Sequence, residues 1–125
     1  MTNYIWITTQ KEGFHFWKYA PEEVSFLRNP HRHIFKFKVY IELLEHNDRE
    51  IEFFIFKDKV DKLIHEVWQT RGLLNNPGTG CSCEMMSDDL NMLIGELYPG
   101  RDIMIEVSED GENGSFKKYP KSQTI

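Results

Sequence analysis

The hydrophobic pattern of this chain changes its period partway along, and this change limits the possible folds more than any other feature. From Ile34 to Leu43, aromatic and β-branched residues alternate with polar ones, as in a strand with one buried face. Further on, apolar residues recur at intervals of three and four, as on an amphipathic helix. Those residues are Val60, Leu63, Ile64, Val67 and Trp68. Separate runs of both patterns are typical of an α+β protein.

Three strands are predicted before the first helix. The first covers Tyr4–Thr9 and resumes at Phe14–Trp17, which indicates one bent strand or a strand with a bulge at Gly13. The second begins at His31 and runs to about Glu45. The third covers Glu50–Phe56 and pairs with the second as an antiparallel hairpin.

Turn-forming residues separate these elements. Lys18–Pro30 contains two prolines and no clear period, so we expect a loop that ends just before the second strand. His46–Arg49 is the predicted hairpin turn. Gly72–Gly80, which includes Asn-Asn-Pro-Gly, is a predicted connector between two helices.

The first helix is predicted from Lys57, where the period changes, and the second begins after Ser82 as its N-cap. Pro99–Gly100 ends the second helix. Its apolar stripe consists of Met86, Leu90, Leu93, Ile94 and Leu97.

Two short strands are predicted after the helices. They cover Ile103–Val107 and Ser115–Tyr119, with a turn containing Asn-Gly between them. The order predicts an antiparallel sheet of four to five strands with two helices packed on one face. Residues 1–119 form one predicted domain, and residues 120–125 form a flexible tail.

Composition excludes several classes of function. A chain of 125 residues with 40% hydrophobic content is expected to form one globular domain. Its net charge of −5 argues against general nucleic-acid binding. With no apolar run long enough to cross a membrane and no recognisable signal peptide, a cytoplasmic location without membrane contact is expected. Cys81 and Cys83 are too close for an ordinary disulfide and lack CxxC spacing, so free thiols are expected.

A pair of histidines opens the second strand. His31 and His33 are two residues apart, so on a strand both side chains project to the same side. Two imidazoles placed in this way can share a metal ion such as zinc. The alternative is that they are polar residues at the entrance of a strand.

Three motifs, taken in order, resemble one known family. His31-Arg32-His33 is similar to a His-Gly-His pair that enters a strand, and Ser82–Met85 is similar to a Thr-x-Glu-Asn segment that opens a helix. Ile105–Glu109 is similar to a strand that ends in a pterin-binding Glu. Together they resemble the 6-pyruvoyl-tetrahydropterin synthase and 6-carboxytetrahydropterin synthase family. This resemblance, which covers Tyr4 to Tyr119, implies the tunnelling fold (T-fold) and its assembly into an oligomeric barrel.

The chain departs from that family where the family carries out chemistry. Lys18 falls at the position of the family's first zinc-binding His, and His15 can replace it only if the strand shifts register. Leu27 replaces the catalytic Cys, and Thr70–Arg71 replace an Asp-His pair. The resemblance therefore implies that the synthase reaction, which needs a thiolate and an acid–base imidazole, is absent.

Three other residues carry suitable chemistry but fall on segments where the family has no catalytic groups. They are Cys81, Cys83 and His65.

The resemblance still implies a site that binds a purine- or pterin-like ring. Glu109 is the predicted anchor, because a carboxylate accepts two hydrogen bonds from a purine- or pterin-like ring. Glu84 belongs to the same implied site, and Phe16 is a candidate for stacking on the ring, although a core role is the alternative. Lys18, Arg32 and Arg71 are candidate contacts for a nucleotide's phosphates. Glu109 can also be read as part of an acidic hairpin tip.

Three functions follow as alternatives. The first is a non-catalytic T-fold homo-oligomer that binds a purine- or pterin-like molecule or nucleotide. Small phage-encoded members of the family share the Ser-x-Glu and Glu-Asp-Gly-Glu-Asn-Gly segments, so this molecule is expected to be a phage protein that sequesters a host nucleotide signal. The second is a zinc-dependent lyase with His31, His33 and His15 on the metal. The third is a structural subunit of a ring.

Overall fold

A computed structural model describes residues 2–45, 48–73 and 79–121. The elements in chain order are strand β1 (Asn3–His15), a short 3₁₀ helix (Glu22–Arg28), β2 (His31–Leu43), α1 (Phe53–Arg71), α2 (Cys83–Leu97), β3 (Ile103–Glu109) and β4 (Asn113–Tyr119). The predicted turn at His46–Asn47, the Asn-Asn-Pro-Gly part of the connector and most of the predicted tail lie outside the described residues.

The strands form one antiparallel sheet in the order β1-β2-β3-β4. The α+β class is confirmed, and the sheet has four strands in the described part of the chain. Alternate residues of β2 (Phe35, Phe37, Val39 and Ile41) are buried, and so are the inward residues of both helices, so both helices cover the same face of the sheet. The packed core therefore lies between this face and the helices.

Strand β1 is continuous, and the predicted bulge at Gly13 is wrong. Gly13 pairs directly with His33 within an unbroken register from Asn3 to His15. A Cβ atom at Gly13 would lie 2.6 Å from Nε1 of Trp68 and 3.1 Å from the carbonyl oxygen of Leu73. The glycine is therefore needed because the end of α1 packs directly against the strand, and the bulge is not the reason for it.

The predicted strand at Glu50–Phe56 is also wrong, because α1 begins at Phe53. The carboxylate of Glu52 accepts hydrogen bonds from the backbone N–H groups of Phe54 and Ile55 and so caps the helix. Phe56 is buried one turn before Val60 and extends the helical stripe towards the N-terminus. The sequence Ile-Glu-Phe-Phe-Ile-Phe is rich in aromatic and β-branched residues and so resembles a strand, but tertiary packing and the cap favour a helix.

The second helix begins as predicted. The side chain of Ser82 accepts a hydrogen bond from the backbone N–H of Met85, 3.1 Å away, so Ser82 is the N-cap. Within the predicted loop before β2, Glu22–Arg28 forms the short 3₁₀ helix.

The final hairpin has a tighter turn than predicted, because both of its strands extend two residues further towards the turn. Asp110 and Gly111 have positive φ angles of 58° and 74°, and β4 already begins at Asn113. Gly114 lies in the strand, where a Cβ atom would come within 2.0 Å of the carbonyl oxygen of Val107. This glycine allows the two strands to approach each other, whereas the turn itself uses Asp-Gly.

Among the residues that the structure describes, no helix is both long and apolar enough to traverse a bilayer.

Candidate metal centre and adjoining cleft

The register of β1 and β2 brings three histidines together at one end of the sheet. His15 pairs directly with His31, and His33 follows two residues later on the same face. The ring centroids are 4.5 Å apart for His15–His31, 5.4 Å for His15–His33 and 4.9 Å for His31–His33. Phe35, which is fully buried, lies beneath them and separates the cluster from the core.

Each imidazole is oriented by an acceptor at its Nδ1 atom. Nδ1 of His15 lies 2.8 Å from the carbonyl oxygen of Cys81, and Nδ1 of His31 lies 2.9 Å from that of Asn29. Nδ1 of His33 lies 2.6 Å from Oδ2 of Asp110. Because carbonyl and carboxylate oxygens only accept, Nδ1 is the donor in each ring, and in the neutral imidazole this leaves the lone pair of Nε2 for another partner. This is the outer-shell arrangement that usually holds metal-binding histidines.

Glu109 completes the cluster from β3. One of its oxygens, Oε2, lies 2.8 Å from Nε2 of His15, and the other, Oε1, lies 3.8 Å from Nε2 of His33. One ligand atom from each of His15, His31, His33 and Glu109 lies within 4.8 Å of all the others. Two ligands of one tetrahedral zinc ion lie about 3.3 Å apart, so these four atoms are grouped slightly more widely than in a zinc-bound site and would draw together around an ion.

His15 is the most buried member of the cluster, and its Nε2 lacks a satisfactory partner. The residue is only 7% exposed, and burial lowers its pKa, so the neutral ring is favoured. Nε2 is buried and has no hydrogen bond within the described structure, although Oε2 of Glu109 is close to it. A neutral imidazole nitrogen facing a carboxylate oxygen is the arrangement that a bound cation would stabilise. The three imidazoles therefore fit a zinc ion, and the Glu109 carboxylate lies beside them.

Asp110 holds the hairpin and the cluster in place. Its Oδ1 accepts a hydrogen bond from the backbone N–H of Ile34 at 2.8 Å, while Oδ2 accepts from His33. These hydrogen bonds, the one from Ile34 first, lower the pKa of the carboxyl group. The residue has a left-handed backbone, which Asp tolerates better than most residues and which is often found at functional sites.

An open cleft of about 530 Å³ adjoins the cluster. His15, His31 and Glu109 form one part of its wall, and the first turn of α2 forms another. The remaining residues that line it are Phe16, Trp17, Leu27, Gly80, Cys81, Ser82, Cys83, Glu84, Met85, Asn113 and Gly114. Aromatic side chains and carboxylates thus face a space large enough for a bicyclic ring.

The two cysteines are free, as predicted, but they line this cleft. Their segment therefore reaches the same cleft as His15 and Glu109. Burial raises the pKa of Cys81 to about 11 and that of Cys83 to about 12. Both are neutral thiols at physiological pH, which makes them weak nucleophiles.

Several predicted ligand-binding residues reach the cleft. Glu109, Glu84 and Phe16 line it, and so does Leu27, which the resemblance predicts at the position of a catalytic Cys. The structure places His15 in the candidate metal cluster without any shift of register, whereas Lys18 follows the strand, with its ammonium group near the exposed ring of Tyr19.

The predicted phosphate contacts do not converge on the cleft. Arg32 points to the opposite face of the sheet and pairs with Glu12 at 2.9 Å. Arg71 pairs with Asp89 at 2.6 Å in a groove between α1 and α2. Thr70 lines the same groove.

His65 is exposed on α1, beside Gln69, and does not line the cleft.

The sequence motifs did not predict the groups that accept hydrogen bonds from the imidazoles and orient them. Two are the backbone carbonyls of Cys81 and Asn29, which leave no trace in side-chain identity. The third is Asp110, and its Asp-Gly turn was the available signal. Asn113 was also missed; its side chain donates a hydrogen bond to Glu109 at 3.1 Å.

No protein-family model matches the chain, and no curated protein matches its sequence.

Proposed function

We propose that the protein is a T-fold-like homo-oligomer that binds zinc at His15, His31 and His33 and holds a purine- or pterin-like ring in the adjoining cleft. The observation that carries this proposal is the convergence of the three Nε2 atoms at one wall of a cleft lined by carboxylates and aromatic rings. Carboxylates recognise adjacent N–H groups of such rings, and aromatic side chains stack on their faces.

The lining of the cleft favours binding over the family's synthase reaction. Leu27 supplies neither a nucleophile nor a proton carrier. Cys81 and Cys83 have raised pKa values and are protonated at neutral pH, so they do not replace the missing thiolate. A protein that sequesters a nucleotide signal, as expected for a phage protein, needs the pocket without the chemistry.

Assembly into a ring is supported by the edges of the sheet. In the sheet order of the described chain, β1 and β4 are the outer strands, and the outer side of β1 is bridged at its end by Thr79. Trp6 and Phe116 are about half exposed on the face away from the helices. Unpaired strand edges are favourable sites for pairing with another copy, and closing a barrel removes them. In such a ring, the cleft would lie at a subunit interface.

Thermal unfolding with defined probes tests the binding function. Zinc-loaded protein is mixed with saturating guanosine triphosphate, adenosine triphosphate or pterin-6-carboxylate, and the melting temperature is recorded. We expect at least one probe to raise it, because a ligand that binds only the folded state stabilises that state. The double variant Glu84→Gln/Glu109→Gln is expected to lose the shift.

The matched control is Glu112→Gln, which makes the same change at an exposed residue of the hairpin loop. It is expected to retain the full shift. If none of the three probes raises the melting temperature of the zinc-loaded wild type, the proposed function is wrong.

A zinc-dependent lyase is the second candidate, and the three-histidine set favours it. Catalytic zinc sites usually have three protein ligands and one open position, through which the metal polarises a substrate oxygen. This candidate predicts turnover of a reduced pterin substrate, measured by product formation, and its loss in the His31→Ala/His33→Ala variant. Binding of the substrate without turnover would favour the first candidate.

A further inference from the structure

We infer that Glu109 is the fourth protein ligand of the metal centre, and that it does not anchor the ring. This inference rests on the proposed function, because it assumes that the three histidines bind zinc. It assigns Glu109 a role different from the one that the family resemblance implies.

Glu109 lies at the end of β3, next to the strand that carries His31 and His33. It is the last residue of β3 and pairs with Phe35, so its side chain lies on the same face as His33, two residues earlier in β2. The carboxylate therefore comes from a third strand towards a cluster supplied by β1 and β2. Ligands from three adjacent strands surround one point from different directions.

The carboxylate of Glu109 lies close to the Nε2 atom of His15. Oε2 and Nε2 of His15 are 2.8 Å apart, yet they form no hydrogen bond, and Nδ1 of His15 already donates to the carbonyl oxygen of Cys81. Two lone pairs would thus face each other at a buried position. A divalent cation that binds both atoms removes this repulsion and satisfies the buried nitrogen.

A hydrogen bond from Asn113 orients the carboxylate of Glu109. Asn113, its partner in the β3–β4 register, donates a hydrogen bond from Nδ2 to Oε1 at 3.1 Å. Ligating carboxylates are commonly held by such outer-shell donors, in the way that Asp110 holds His33. Oε1 is held in this way, while Oε2 remains directed at His15.

Three nitrogens and one oxygen would fill a tetrahedral zinc site. A closed site of this kind stabilises structure, whereas a catalytic zinc keeps one position open. Zinc would then tie together the ends of β1, β2 and β3 beside the cleft. The ring would be recognised by Glu84, which lines the cleft from the first turn of α2 and does not belong to the metal cluster.

Metal affinity measured separately from ring binding tests this inference. Metal-free protein competes with a chromophoric chelator for zinc, and the same preparations are tested for thermal shifts with the three probes. We expect Glu109→Gln to weaken zinc binding by at least about tenfold, because even outer-shell changes cost 10–100-fold. Glu84→Gln is expected to retain zinc affinity and lose the probe's shift, and Glu112→Gln to retain both.

Asn113→Ala provides a second, milder variant in case Glu109→Gln does not fold. It removes only the donor to Oε1 at an exposed position of β4, and we expect a several-fold loss of zinc affinity, whereas unchanged affinity would contradict the support given to the carboxylate.

The two proposals fail in different ways. If Glu109→Gln binds zinc like the wild type but loses the shift, Glu109 anchors the ring; the inference is then overturned while the proposed function stands. If the wild type binds zinc and no probe raises its melting temperature, the proposed ring binding fails, and the weakened zinc affinity of Glu109→Gln still supports the inference. If the wild type binds no zinc, both the metal centre and the inference are overturned.

Discussion

The carboxylate of Glu50 accepts hydrogen bonds from groups at the ends of two neighbouring strands. Its oxygens accept hydrogen bonds from the backbone N–H groups of Leu44 and Glu45, just after β2, and from the guanidinium of Arg101, just before β3. The closest contact to Arg101 is 2.7 Å, and both side chains are only 12–13% exposed. Glu50 therefore joins the ends of two neighbouring strands at the opposite end of the sheet from the histidines.

This arrangement predicts a dependence of stability on pH. The hydrogen bond from Arg101 is the main cause that lowers the pKa of Glu50 from 4.5 to about 2. Because the folded-state pKa is below the ordinary value, the stabilisation is complete above about pH 4.5 and is lost as the pH falls towards 2. Urea unfolding should therefore show that Glu50→Gln destabilises the protein more at pH 7 than at pH 3.

Glu112→Gln, in the exposed hairpin loop, is the control for this comparison and should change the free energy of unfolding little at either pH. An effect of Glu50→Gln that is equal at pH 7 and pH 3 would contradict the role of the ionised carboxylate.

At the residue scale, the sequence predicts those parts of the candidate site that are formed by side chains in a recognisable motif. The pair of His31 and His33 is visible as a motif, because strand periodicity puts both on one side. The place of His15 depends on whether β1 continues without a bulge, and one residue of slip would reverse its face. The backbone carbonyls that fix His15 and His31 have no sequence signature, so the full site required the three-dimensional fold.

At the element scale, Gly13 controls how closely α1 approaches the strand that carries His15. We expect Gly13→Ala to lower the free energy of unfolding by about 1–3 kcal/mol, because its Cβ would overlap the side chain of Trp68 and press on Leu73. Urea unfolding measures this change. Since Gly13 pairs with His33, zinc affinity is expected to fall with it.

Gly95→Ala is a matched control in α2, where a Cβ atom meets no other atom within 4 Å. It is expected to stabilise the protein by about 0.5–1 kcal/mol, because alanine favours a helix over glycine. If Gly13→Ala were as stable as the wild type, the close packing of α1 on β1 would not be the reason for the glycine.

Helices and turns with an unambiguous local sequence pattern were predicted correctly, and those with an ambiguous pattern were not. The N-cap at Ser82 and the stripe of α2 are strong local patterns, and the structure agrees with them. The start of α1 was missed because Glu50–Phe56 is rich in aromatic and β-branched residues like a strand, while its cap, Glu52, is not among the usual capping residues. The last turn is tighter than predicted because Asn113 and Gly114 belong to β4, although Asn-Gly also favours tight turns.

At the scale of the whole molecule, the order of strands and helices gave the α+β class, whereas assembly is not encoded in any local pattern. The two outer strands and the half-exposed Trp6 and Phe116 make a second copy a reasonable partner. The proposed ring, its zinc and its bound molecule are linked, because the cleft would lie near a subunit boundary.

Native mass spectrometry of the protein purified from cells without chelators tests the central claim most directly. The intact mass gives the number of subunits, and denaturation releases any metal and small molecule for identification. We predict a homo-oligomer with one zinc ion per subunit that carries a purine- or pterin-like molecule. A monomer without zinc or any bound molecule would contradict it.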